Sequence, residues 1–216
     1  MPALPRDLFR LWLILLIVWL VPLYAAWWWL GWAEWVLRVL RGLGNIALPP
    51  VFNQGVSEIL LQADQSWKVR TGLVTENSNP SEMAVFFIEK PFLLHIIMGF
   101  PLLWALLLAT PGHLLKRLIW GTLLLVALYL LGIAGHMWAM ITVMVNHQPS
   151  VMDETLVPPL FRVSAVPYPL WMFHLSGFVH YLTVLILPLI SPVLIWLLLC
   201  PRGVMRLVVS IRRRIR

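Results

Sequence analysis

The sequence predicts an all-α membrane protein with about four transmembrane helices and a small extracytoplasmic β-like segment. Three observations carry this. Hydrophobic residues make up 61% of the 216 residues and charged ones 12%, whereas soluble domains sit near half apolar and a quarter charged. The mean hydropathy is +0.86, and a soluble fold of this length could not cover so much apolar surface; a bilayer is the solvent that suits it. The charge-free runs are long enough to cross about 30 Å of hydrocarbon. The polar residues, finally, gather between the first two runs.

The first run, over 11–32, reads LWLILLIVWLVPLYAAWWWLGW. It exceeds a signal-peptide core and lacks a small-residue cleavage site, so it reads as a retained anchor. Pro22 is expected to kink it, and Trp27, Trp28 and Trp29 to mark its outer interface. Next, Arg38 and Arg41 stand among Val36, Leu37, Leu40 and Leu43. Two readings stay open there: an amphipathic helix lying in the interface, or a continuation of the first span. Pro49 and Pro50 are expected to end it.

Residues 51–90 form the polar insertion. WKVRTGL (67–73) starts with apolar–polar alternation, a strand signal, and SEILLQA (57–63) and MAVFFIE (83–89) are also strand-like. NSNPSE (77–82) has turn composition. Two or three antiparallel strands are expected, outside the membrane, because lipid does not tolerate open sheet edges.

The second span is expected over 91–111 and the third over 118–145, long enough to require tilting or protrusion. The segment 146–167 is an outer loop with Asp153 and Glu154. YPLWMFHLSGF reads as an interfacial lead-in to a fourth span over 180–200, which Pro188 and Pro192 should bend. No internal repeat is visible.

Cationic side chains set the orientation. Arg6, Arg10, Lys116, Arg117, Arg202, Arg206, Arg212, Arg213, Arg214 and Arg216 flank short segments. Arg38, Arg41, Lys68, Arg70, Lys90 and Arg162 are spread over far longer ones. The denser set belongs inside, which places both termini in the cytoplasm of a bacterial inner membrane and the 51–90 segment outside. The net charge of +7 follows this topology pattern and argues against a nucleic-acid partner.

Few residues invite chemistry. His95, His136, His174 and His180 lie in or near spans. Buried histidines on facing helices can ligate haem iron or zinc, yet an interhelical hydrogen bond explains each equally well. His174 and His180 are six apart, so their faces diverge by about 120° on a helix of 3.6 residues per turn. Cys200 is the sole cysteine, with no base beside it in sequence; it reads as a small hydrophobe. Glu58, Asp64 and Glu76 accompany Lys68 and Arg70 in the sheet region, as the charges of a solvated strand face do. The arginine-rich tail reads as a topology anchor. No phosphate loop, zinc-protease helix or nucleophile elbow occurs, and no cofactor or metal is expected.

FPLLWALLLATPG (100–112) and LILPLISPVLIWLLL (185–199), with the order of span, β-like segment and spans, resemble the exosortase H-associated membrane proteins. The resemblance implies a bacterial inner-membrane accessory to a system in which a membrane-embedded cysteine transpeptidase cleaves C-terminal sorting signals. It supplies no catalytic residue for this chain. The expected function is therefore a non-enzymatic accessory or assembly subunit whose partners are the bilayer and other membrane subunits, an exosortase-like transpeptidase among the candidates. Trp67, Lys68, Arg70 and Phe86 are the expected partner-binding residues. Two other classes stay open: a small transport or channel component, disfavoured because no span contains a charged residue, and a haem-binding electron-transfer subunit using the histidines.

Overall fold

The computed structural model describes residues 8–52, 55–74, 83–146, 165–201, 203 and 205. The turn expected over 77–82, Glu76, Asp153, Glu154, Arg162 and the tail from Arg206 onward lie outside these, as do Arg6 and Arg202. In chain order the elements are α1 (Leu8–Trp29), α2 (Trp32–Phe52), β1 (Glu58–Leu61), β2 (Trp67–Val74) and β3 (Met83–Ile88). Then follow α3 (Lys90–Ile97), α4 (Gly99–Leu108), α5 (Leu114–Val145), α6 (Leu170–Tyr181), a π-helical turn (Leu182–Ile186) and α7 (Leu187–Leu199). Four helical stretches are long and apolar enough to span: Phe9–Trp29, Lys90–Leu108, Leu114–Val145 and Leu170–Leu199. The fold is thus an all-α membrane protein with a small three-stranded sheet.

The chain divides into two units. The first gathers Met1–Trp35, Ile97–Leu128 and Pro188–Arg216; the second gathers Val36–Ile96 and Tyr129–Leu187.

In the first unit α1 lies against α4. The Tyr24 hydroxyl donates to the Met98 carbonyl at 3.0 Å. Trp27 stacks on Phe100 with centroids 5.8 Å apart and meets Trp104 edge-on. Of the expected interface trio, Trp28 and Trp29 are exposed, but Trp27 is fully buried. The difference is one of helix phase: at 100° per residue only one of three consecutive side chains points at α4. Gly31, with φ +68°, closes α1 in the left-handed conformation that glycine adopts without a Cβ penalty. α2 is therefore a separate helix, not a continuation of the first span. Trp104 Nε1 donates to Thr122 Oγ1 on α5 at 3.0 Å. Gly121 lets α5 close on its neighbours, since a Cβ there would meet Leu107 at 3.0 Å and Leu199 at 3.3 Å.

In the second unit, α2 runs through Pro49 and Pro50 to Phe52, beyond its expected end. The sheet is an antiparallel meander in the order β1-β2-β3. The expected lead-in to the fourth span is itself helical, and α6 continues through the π-helical turn into α7. Pro188 explains the irregularity. It has no N–H for the Val184 carbonyl four residues back, and the backbone widens to a five-residue register in which Leu187 N–H bonds to Leu182 O. The freed Val184 carbonyl accepts instead from His95 Nε2 of α3 at 3.0 Å. His95 thereby satisfies a backbone group that lipid could not.

Candidate functional site

The sheet is built around a tight three-residue hairpin. Gln62 N–H bonds to Ser66 O, Gln65 N–H bonds to Gln62 O, and Gln65 takes φ +69°, the left-handed position that follows a type I turn in such loops. Asp64 Oδ1 accepts from both the Ser66 hydroxyl, at 2.7 Å, and the Ser66 N–H, at 3.0 Å. These bonds hold the Asp64 carboxyl below the usual carboxylate range. Where the β2–β3 register shifts between Arg70 and Val74, the Thr71 hydroxyl donates to the Ala84 carbonyl at 2.7 Å and accepts from Leu73 N–H.

The two edges of the sheet differ. On β1, Ile59 turns its N–H and carbonyl away from β2, and Asn45 of α2 takes both: Oδ1 accepts the N–H at 2.7 Å and Nδ2 donates to the carbonyl at 3.0 Å. Gly44 beside it brings α2 close, its missing Cβ lying 3.3 Å from Ile59 Cδ1. On β3, Trp67 and Val69 stand opposite Ile88 and Phe86, and Lys68 and Arg70 turn their backbones toward β1. By antiparallel alternation Val85 and Phe87 point their N–H and carbonyl groups away from β2, along the outer edge.

The faces differ too. Ile59, Trp67, Val69, Ala84, Phe86 and Ile88 are buried. Arg70, Met83, Val85 and Phe87 are exposed and Lys68 is half-buried. Of the four expected partner-binding residues, Trp67 and Phe86 support the sheet from its buried face, while Lys68 and Arg70 stand on the other. Arg70 Nη1 pairs with Glu58 Oε2 at 3.2 Å, both half-exposed, a surface pair worth at most about 1 kcal/mol. Lys68 Nζ lies 6.0 Å from the Phe87 ring centroid, at the reach of a cation–π contact. Phe87 is not among the four expected residues; strand alternation places it on the same face as Val85.

A second cluster lies among the spans. His136 Nδ1 and His180 Nδ1 are 2.8 Å apart, and Phe92 lies against both rings, 4.1 Å from His136 and 6.2 Å from His180. His174 is exposed and turned elsewhere. At 2.8 Å the two nitrogens are at the separation of a hydrogen bond that shares one proton. The pair belongs to a seam between α5 and α6. Asn146 bonds both backbone groups of Tyr168 at 2.9 and 3.1 Å, and Thr142 and Ser176 share a hydrogen bond at 2.6 Å. Gly135 and Gly132 admit Val179 and Leu187 at distances a Cβ would forbid.

A third polar knot sits in the first unit. Buried Thr110 accepts from Trp196 Nε1 at 2.9 Å and from Trp12 Nε1 at 3.4 Å, and its hydroxyl donates to Leu106 O at 2.8 Å. Trp12 and Trp196 stack with centroids 5.5 Å apart. Thr110 belongs to the ATPG stretch and Trp196 to LPLISPVLIW, so the two sequence features that carry the family resemblance meet at one hydrogen bond. Cys200, one helical turn after Trp196, is buried. Among the described residues no three His, Cys, Asp or Glu side chains gather as metal ligands would.

Four apolar helical spans, a small three-stranded sheet and polar knots that tie helix to helix define a multi-span membrane protein with a compact sheet insertion. The chain matches the model of the exosortase H-associated membrane protein family over residues 6–203, and it belongs to that family. No curated protein and no solved structure matches it.

Proposed function

We propose that this protein is a non-enzymatic accessory or assembly subunit of an exosortase-type protein-sorting system in a bacterial inner membrane. It works by contact with other membrane subunits, an exosortase-like transpeptidase among them. Membership of the exosortase H-associated family supports the choice of system. The observation that carries the mode of action is the asymmetry of the sheet. One edge is sealed by Asn45, while β3 leaves the backbone groups of Val85 and Phe87 turned outward beside exposed apolar side chains. Soluble proteins blunt such edges with charges, proline or a bulge; here the bulge is not on the outer edge but between β2 and β3. An extended segment of a partner can add to β3 by main-chain hydrogen bonds, with Lys68, Arg70 and Phe87 reading its side chains. The reading as non-catalytic is supported by the buried position of Cys200.

The test is recovery of the native complex from detergent extract. Lys68→Glu with Arg70→Glu should lower recovery of a partner roughly fivefold while membrane insertion is unchanged, since neither residue lies in a span. Val85→Pro removes an outward N–H without touching the β2–β3 ladder and should have the same effect. Equal recovery of every partner by both variants moves the interface from the sheet to the helices.

A further inference from the structure

α2 carries three stripes. Val36, Leu37, Leu40, Gly44 and Leu48 are buried. Arg38, Arg41 and Asn45 form a polar row beside them. Val39, Leu43 and Ile46 form a third stripe, exposed at 37%, 39% and 76%, which begins in sequence at the exposed Trp35. At 100° per residue the apolar stripe lies about 120° around the helix from the polar row. Water would not favour such a helix, for its open side is mainly aliphatic. Hydrocarbon would not either, because two arginines interrupt it, and α2 is not among the stretches fit to span. A bilayer surface satisfies both stripes. The cations add a second observation. Neither Arg38 nor Arg41 has an acidic partner among the described residues. Arg38 is exposed and Arg41 half-buried; Arg41 Nε itself is sealed from solvent with no hydrogen-bond acceptor among the described residues, so an anion meets this side chain at its terminal nitrogens.

We propose that Arg38 and Arg41, one turn apart on α2, bind the phosphate of an anionic phospholipid headgroup while Val39, Leu43 and Ile46 rest in the acyl layer beside it. A phosphodiester suits the chemistry: the guanidinium offers a planar fork of N–H donors, and i, i+3 spacing brings two forks to one side of the helix. The lipid's negative charge at the surface adds attraction that salt screens. The proposal is independent of the sheet's partner, so either can fail alone.

Native mass spectrometry of the full-length protein in detergent, with added phosphatidylglycerol or phosphatidylcholine, reads the site directly. The wild type should retain phosphatidylglycerol with a preference on the order of tenfold. Arg38→Gln with Arg41→Gln should abolish that preference, Arg38→Lys with Arg41→Lys should keep part of it, and Lys116→Gln should keep it all. A double Gln variant with undiminished preference overturns the proposal, as does a wild type that retains both lipids equally. A second measurement does not depend on the arginine variants. In Cys200→Ala protein reconstituted in phosphatidylglycerol bilayers, a spin label on Ile46→Cys should collide with oxygen more than with a water-soluble nickel chelate. The reverse order, or shielding from both by a protein neighbour, refutes the membrane seat of the stripe.

Discussion

Thr110 serves two indole N–H groups with a single hydroxyl, and it can do so because its own hydrogen is donated backwards to Leu106 O. Both lone pairs are then free for Trp12 and Trp196, which belong to helices far apart in sequence. Away from water no other acceptor is at hand for Trp196 Nε1, so loss of this oxygen strands a buried donor. Thr110→Val keeps the shape and removes the oxygen; it should cost about 1–2 kcal/mol. For a chain of this size that is roughly 2–8 °C in thermal midpoint, measured in detergent by circular dichroism. Thr110→Ser, which retains the hydroxyl, should unfold close to the wild type. The ATPG and LPLISPVLIW stretches were visible in the sequence as family features. That they touch was not, because an apolar run gives no sign of which helix its single polar atom meets.

Among the elements, the α5–α6 seam shows how small residues and polar pairs combine when the surroundings offer no hydrophobic drive between helices. Gly135 is the tightest position that cannot adjust. A Cβ there would lie 2.6 Å from Val179 Cγ1, and valine has little rotamer freedom in a helix. At Gly132 the clash is with the end of a flexible leucine, and Gly177 on α6 faces open space. Gly135→Ala should therefore cost about 1–3 kcal/mol of stability and disturb the His136–His180 bond one residue on. Gly177→Ala should be neutral or stabilise by about 0.5–1 kcal/mol through helix propensity. Unfolding midpoints of the two variants in one detergent make the comparison, and equal effects would mean that the seam is not close-packed. The strands were readable because period-2 alternation is a local signal, and β2 keeps it from Trp67 to Thr71. The π-helical turn was not. Its cause, Pro188, is plain in the sequence as a residue that bends the span, but the site of relief depends on His95 reaching the Val184 carbonyl from another helix. The separation of α2 from α1 turned on one backbone angle at Gly31, which composition does not reveal.

For the whole molecule, length and charge set the expected threading. α5 has 32 residues and the stretch Leu170–Leu199 has 30, about 45–48 Å each at 1.5 Å per residue. Both exceed a hydrocarbon core of about 30 Å, so each must tilt or carry part of its length beyond the lipid. Four crossings would alternate the connections, with the sheet segment expected on one side and Pro111–Lys116 on the other. The dense cations at Lys116, Arg117 and the tail are the reason to expect the cytoplasm on that second side. Alkaline phosphatase, active only outside the cytoplasm, and a fluorescent protein, active only inside, can be fused after Asn79, Gly112 and Arg216. Phosphatase activity is expected at Asn79 alone, and fluorescence at Gly112 and Arg216. Identical reports from Asn79 and Gly112 would remove the second crossing. Reports reversed at all three sites would keep the four helices but turn the sheet toward a cytoplasmic partner.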